Sequence, residues 1–123
     1  MVIDTSALLA VLFNEKMGAA ISQILQDKDG EIRMSTVNLA ETLILLSDRQ
    51  PQLASQVREE ILDSSIRFVS PSVRQAEIAS EARMRFPLNL GDCFAYALAK
   101  DEGCSLLTLD LDFKRTDISL VKL

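Results

Sequence analysis

Asp4, Glu41, Asp92 and Asp110 are four acidic side chains, each placed where strand-like sequence gives way to helix-like sequence. In an open α/β sheet the carboxyl ends of the strands share one edge, and ligands bind there. Folding is therefore expected to gather the four acids at one place, where they read as a cage for a hard divalent cation. Carboxylates a few ångströms apart raise one another's pKa, and a cation between them relieves that repulsion. An all-oxygen ligand set selects Mg²⁺ or Mn²⁺. The chemistry that follows is hydrolysis of a phosphodiester, because a bound cation lowers the pKa of water and neutralises charge on phosphate.

Each acid also has an ordinary structural reading. Asp4-Thr5-Ser6 ahead of an apolar run is a helix N-cap signature. Asp92 opens an apolar helix and gains from its dipole, Asp110 is a turn aspartate, and Glu41 taken alone is a solvated helix glutamate. Four separate caps meeting at one edge are a less economical account than one shared site. Asp112, two residues beyond Asp110, is a second candidate for the fourth acid.

Histidine is absent, which removes imidazole acid–base catalysis, Ser-His-Asp triads and imidazole-based zinc sites. The net charge of −5 argues at first against a nucleic-acid partner. Leaving out the four gathered carboxylates sets 13 basic against 14 acidic side chains, a balance of −1, so bound cations make RNA or DNA admissible. Cys93 and Cys104 lie in or beside apolar runs and are expected to be buried free thiols of a reducing cytosol. No basic leader precedes an apolar stretch and no apolar run reaches the ~18 residues of a membrane span, so the expectation is a cytoplasmic protein with no membrane partner.

The elements that must position the acids follow from the apolar pattern. Residues 1–3 read as a short strand, 7–13 as a buried helix, and 15–26 as a helix with Met17, Ile21, Ile24 and Leu25 at helical spacing. Residues 32–36 form a strand running into a leucine-rich helix through residue 46, and Pro51 opens an amphipathic helix with Leu53, Val57, Ile61 and Leu62 on one face. Residues 66–69 return as a strand, Ser72 caps a helix over 73–85, and 92–100 is a helix apolar on nearly every side. Residues 105–109 make an apolar strand, 110–114 a turn, and 118–121 a fifth and last strand. With no linker or repeat, residues 1–123 are expected to be one domain of the α/β class, with a mostly parallel sheet of about five strands covered by helices on both faces.

A haloacid-dehalogenase phosphatase also collects acids at strand ends, and Asp110-Leu111-Asp112 mimics its acidic pair. Its nucleophile follows the first strand as Asp-x-Asp, where this chain has Asp4-Thr5-Ser6. A response-regulator receiver fails similarly, since it needs adjacent acids after that strand.

Four segments, Val2-Ile3-Asp4-Thr5-Ser6-Ala7-Leu8, Asn38-Leu39-Ala40-Glu41, Leu90-Gly91-Asp92-Cys93-Phe94-Ala95-Tyr96-Ala97-Leu98-Ala99 and Leu106-Leu107-Thr108-Leu109-Asp110-Leu111-Asp112-Phe113, carry a resemblance to PIN-domain ribonucleases. Their order and spacing most resemble the VapC toxins of bacterial toxin–antitoxin pairs. The resemblance implies a Rossmann-like α/β/α sandwich, a Mg²⁺- or Mn²⁺-dependent endoribonuclease leaving 5′-phosphate and 3′-hydroxyl ends, and tRNA or another structured RNA as substrate. It gives Asp4, Glu41, Asp92 and Asp110 the metal-site roles, with Asp112 competing for the last, and makes Thr5 or Ser6 and Thr108 the hydroxyls that hold the site. It also implies a VapB-type antitoxin as partner and a homodimer, for which the apolar helices around 43–46 and 53–62 supply more leucine and isoleucine than one small core needs. Arg83 and Arg85, just before the Asp92 loop, and Lys114 and Arg115, just after Asp112, are expected near the same rim and able to contact an RNA backbone. The competing reading within the family is a PIN domain that binds RNA or a partner without cutting.

Overall fold

The computed structural model describes all 123 residues, Met1–Leu123. Six helices and four strands alternate along the chain: β1 (Val2–Ile3), α1 (Thr5–Leu12), α2 (Gly18–Asp27), β2 (Arg33–Ser35), α3 (Thr36–Arg49), α4 (Ala54–Leu62), β3 (Arg67–Val69), α5 (Val73–Arg85), α6 (Leu90–Glu102) and β4 (Leu106–Leu107), followed by a 3₁₀ turn over Leu111–Arg115. The sheet order is β3-β2-β1-β4 and every pairing is parallel. From β1 the chain therefore builds outward through β2 and β3, then returns to the other side of β1 with β4. That reversal makes the β1/β4 boundary the topological switch point, where the carboxyl ends of neighbouring strands diverge and leave a crevice.

Side chains on successive strand residues point to opposite faces, and the buried residues divide accordingly. Val2 and Leu106 pack with α5 and α6 residues Ala79, Ala82, Ala95, Tyr96 and Leu98. Ile3 and Leu107 pack on the other face with Ala7, Leu8, Ala10 and Ile21 of α1 and α2. The result is the α/β/α sandwich expected from the alternating pattern. α6 can sit against the sheet because Ala95, Ala97, Leu98 and Ala99 are fully buried, and the small alanines allow close approach. None of the helices is long and apolar enough to cross a membrane.

The sheet is smaller than the sequence suggests. Residues 118–121 form one isolated bridge, Leu120 to Leu106, in place of a fifth strand. β4 itself is only two residues long, because the Leu109 N–H donates to the Ser6 hydroxyl at 3.0 Å and the Asp110 N–H to that of Thr108, also at 3.0 Å. Leu106 alone turns its amide and carbonyl outward, bonding Ser119 O at 2.8 Å and Val121 N at 2.9 Å. The Leu109 and Asp110 amides that would have lengthened β4 are thus taken by the Ser6 and Thr108 hydroxyls.

Helix boundaries move for similar reasons. α6 begins at Leu90, two residues ahead of Asp92, because Asn89 and Asp92 make a reciprocal capping box. α2 begins at Gly18, where a Cβ would lie 2.4 Å from the backbone oxygen of Ala10, so the crossing of α1 and α2 requires glycine. Both cysteines are free thiols; Cys93 is buried as expected, whereas Cys104 is half-buried, with its sulfur 3.0 Å from the Arg33 guanidinium.

Candidate active site

Asp4 follows β1 directly and is 3% exposed. Its Oδ1 accepts from Ala7 N at 3.0 Å and from Ser6 Oγ at 2.8 Å, and its Oδ2 accepts from the Thr108 hydroxyl. The cap and the site are thus one residue: the bonds that start α1 also hold the carboxylate at the switch point. Burial drives its pKa upward; the bonds from Thr108, Ala7 and Ser6 oppose this, and the charge of Asp110 adds to it.

Asp110 lies across that boundary, after β4. Its Oδ1 accepts from Asp112 N at 2.9 Å, capping the 3₁₀ turn. Asp92 is brought in by the first turn of α6, where its Oδ2 accepts from Asn89 N at 3.3 Å while Asn89 Oδ1 accepts from Asp92 N at 2.9 Å. Desolvation raises its pKa to about 6; the bond from Asn89 pulls it down, and the charges of Asp110, Asp4 and Glu41 push it up. Glu41, on the second turn of α3, accepts from the Thr5 hydroxyl through Oε1.

The four acids of the sequence pattern therefore share one electrostatic neighbourhood, each acting on Asp92 or being Asp92 itself. Glu41, Asp92 and Asp110 follow a common rule: one oxygen is bonded to the fold, and Oε2, Oδ1 and Oδ2 respectively have no protein partner. The arrangement is an open edge, not the closed cage expected, since no three acids converge on a single point. That suits Mg²⁺ or Mn²⁺, which retain several waters and take one or two protein carboxylates. Hard oxygen donors, two of them with carboxyls raised by burial and by their neighbours' charge, are the donor set such a cation fits.

Asp112 is half-buried, but it is Asp110 that acts on Asp4 and on Asp92. Thr5, Ser6 and Thr108 all take part, Thr5 on Glu41 and the other two on Asp4. Lys114 lines a hollow of about 550 Å³ together with Thr108, Leu109, Asp110 and Leu111. Arg83 borders a different groove, of about 400 Å³, beside Cys93 and Phe94, and Arg85 lies over the Phe86 ring at 4.8 Å. Arg115 is exposed on the 3₁₀ turn. The four ion pairs of the chain use Arg33, Arg67, Arg74 and Lys100, leaving Arg83, Arg85, Lys114 and Arg115 unpaired.

Two residues at the edge carry no charge, and their types alone do not mark them as site residues. Asn38, 1% exposed, donates from Nδ2 to the Gly91 carbonyl at 3.0 Å. Gly91 brings α6 so close to α3 that a Cβ there would stand 2.8 Å from Glu41 Oε1. A glycine in the first turn of a helix, where it weakens the helix, was the available signal for the second.

Residues 1–119 match the PIN domain family. The chain belongs to that family, in its VapC branch. It is 36% identical to a ribonuclease VapC of Mycolicibacterium smegmatis, over 98% of this chain and 99% of that protein. It is 33% identical to ribonuclease VapC28 of Mycobacterium tuberculosis, covering 96% and 95% of the two. Among solved structures it superposes on Mycobacterium tuberculosis VapC20, described as a sarcin–ricin loop cleaving toxin, with a TM-score of 0.82 at 21% identity over 99% and 98% of the two chains. DNA-bound VapBC from Salmonella typhimurium gives 0.78 at 16% identity over 98% and 95%. The PIN fold expected from the sequence is the fold observed, with four strands in place of five.

Proposed function

We propose that residues 1–123 act as one cytoplasmic PIN domain, a Mg²⁺- or Mn²⁺-dependent endoribonuclease toxin restrained by a VapB-type antitoxin. The observation that supports this reading is that the charges of Asp110, Asp4 and Glu41 all act on Asp92, in a chain that aligns end to end with VapC ribonucleases. Asp4, Glu41, Asp92 and Asp110 would hold the cation, one or two of them directly and the others through its waters, and when bound it would supply charge neutralisation on phosphate and a lowered pKa for water. The protein's own contribution is positioning. Asp4 is fixed by three bonds, while Oε2 of Glu41, Oδ1 of Asp92 and Oδ2 of Asp110 carry no protein hydrogen bond and are left for the cation, its waters and the phosphate. One of these, on Glu41 or Asp92, accepts a proton from the attacking water as its oxygen bonds to phosphorus in line. The P–O3′ bond breaks, and the departing oxygen takes a proton, leaving 5′-phosphate and 3′-hydroxyl ends. Lys114 and Arg115 on one side, and Arg83 and Arg85 on the other, contact flanking phosphates without reading sequence.

Exposed apolar side chains supply the protein partners. Ile44, Leu53 and Leu62 on α3 and α4 stay 45–61% exposed, and a shallow hollow lined by Val37, Ala40, Ile44 and Leu45 leads to Glu41. This face is assigned to a second copy of the chain and to an antitoxin segment that places a basic side chain near the carboxylates. A strictly monomeric protein with no affinity for the neighbouring antitoxin contradicts the assignment.

The test is incubation of antitoxin-free protein with total tRNA and Mg²⁺ or Mn²⁺, with chelator and Asp4→Asn as controls. Discrete cuts lost in both controls are the expected result. RNA left intact by protein that binds the metal would support the family reading in which the domain binds without cutting.

A further inference from the structure

The amide of Asn38 joins three helices. It belongs to α3, its Nδ2 donates to the Gly91 carbonyl of α6 at 3.0 Å, and the same nitrogen lies 3.4 Å from the Thr5 hydroxyl of α1. Thr5 in turn donates to Glu41 Oε1, so a donor chain runs from the Asn38 amide through a hydroxyl to a site carboxylate. The Asn38 backbone carbonyl accepts from the Thr42 hydroxyl at 2.8 Å, which fixes this turn of α3. Against the same carboxylate stands Gly91, whose missing Cβ would lie 2.8 and 2.9 Å from the two Glu41 oxygens. Glu41 is thus held by the Asn38–Thr5 chain and closely bounded by the bare Cα of the residue before Asp92.

Asn38 is costly as mere filler. Its Oδ1 is buried with no hydrogen-bond partner, a situation that costs about 1–3 kcal/mol and that an apolar side chain would avoid. Gly91 likewise weakens α6 relative to alanine. Two locally unfavourable residues meeting at one carboxylate pair call for a shared reason.

We infer that Asn38 and Gly91 together set the separation and orientation of Glu41 relative to Asp92, Asn38 as a positioning residue acting through Thr5 and Gly91, and Gly91 as the gap that admits the Glu41 carboxylate. The inference rests on the metal-dependent reading above. Partners that orient metal-binding side chains without touching the ion are worth roughly 10–100-fold in affinity.

The experiment is calorimetric titration of Mn²⁺ into the full chain, free of RNA and antitoxin, with melting in chelator run in parallel. Asn38→Ala and Gly91→Ala are each expected to weaken Mn²⁺ binding by roughly 10–100-fold. Asn38→Asp is expected to weaken it too, although it adds a negative charge, because the donor to Gly91 and Thr5 is lost. Gly91→Ala is expected to melt at or above the wild type, since alanine favours the helix and the clash falls on the movable end of Glu41. The double alanine variant should lose less than the product of the single losses, as both act on one spacing. Asn38→Asp binding Mn²⁺ as tightly as wild type, or Gly91→Ala within about twofold of it, overturns the inference; if Asn38→Ala does not fold, Gly91→Ala decides alone. Wild type that binds no Mn²⁺ overturns the metal-dependent reading itself. Wild type that binds, an Asp4→Asn protein that does not, and unaffected Asn38 and Gly91 variants overturn this inference alone.

Discussion

Replacing Asp92 by Asn should make the metal-free protein more stable while removing its activity. The isosteric amide keeps an oxygen to accept from Asn89 N, so the capping box survives and only the charge is lost. The folded carboxyl titrates at about 6 against an ordinary 3.8, because the site is desolvated and because Asp110, Asp4 and Glu41 repel its ionised form. At 1.36 kcal/mol per pKa unit, this amounts to about 3 kcal/mol against folding once the group is ionised. Solvent screening of a partly exposed group and the favourable helix N-terminus reduce it, so a net gain of about 1–2 kcal/mol is expected from the substitution. For a chain of this size the melting temperature would rise by about 3–8 °C. The sign with pH follows from proton counting: between about pH 4 and 6 the folded state binds more protons than the unfolded one, so wild-type stability falls as pH rises and stays low above 6. The advantage of Asp92→Asn is therefore full at pH 7.5 and vanishes below about pH 4. Urea denaturation in chelator from pH 4 to 8 reads this directly. An Asp92→Asn protein less stable than wild type at pH 7.5, or a gain that persists unchanged at pH 4, would refute the reasoning.

Further outcomes test other parts of the structure. Gly18→Ala places a Cβ 2.4 Å from the Ala10 backbone oxygen and should cost about 1–3 kcal/mol by denaturation with Mn²⁺ affinity unchanged, since both clashing partners are backbone. Tyr96→Phe removes the 2.6 Å phenol bond to Asp117 and should cost about 1 kcal/mol at pH 7. Because Tyr96 and Lys100 hold the Asp117 carboxyl down at about 2, that contribution is present above about pH 4 and lost as pH falls towards 2, so the variant's acid-unfolding limb should be shallower there. Arg83→Ala with Arg85→Ala should weaken RNA binding uniformly across sequences and lower the salt slope by about 1 for each phosphate no longer neutralised; unchanged affinity and slope would remove these arginines from the RNA surface.

Part of this was legible in the sequence because Asp4 and Asp110 follow strand ends, whereas Asp92 follows the loop between α5 and α6 with no strand before it and Glu41 lies on the second turn of α3. The switch from short strand-like runs to helical spacing marks the βα junctions, and Asp4, Asp92 and Asp110 sit at or beside helix starts, where a capping carboxylate and a metal-site carboxylate would share one address. Capping and metal-site roles are therefore compatible in these acids. What was not legible depends on contacts between distant segments. β4 stops early because Ser6 takes the Leu109 amide, a pairing across 103 positions that no local pattern announces. The 118–121 segment has strand-like residues but bridges only to Leu106, its Ile118 amide being taken by the Thr116 hydroxyl. Asn38 and Gly91 look like ordinary helix positions until α3 and α6 are seen to meet at Glu41.

The most direct test of the central claim is anomalous scattering from crystals of the antitoxin-free protein soaked in Mn²⁺. A peak is expected at the β1/β4 edge, about 2.0–2.3 Å from a carboxylate oxygen of Asp4, Glu41, Asp92 or Asp110 and within a water's reach of the others. A peak elsewhere, or RNA cleavage that persists in crystals and solution with no ion at that edge, would contradict it.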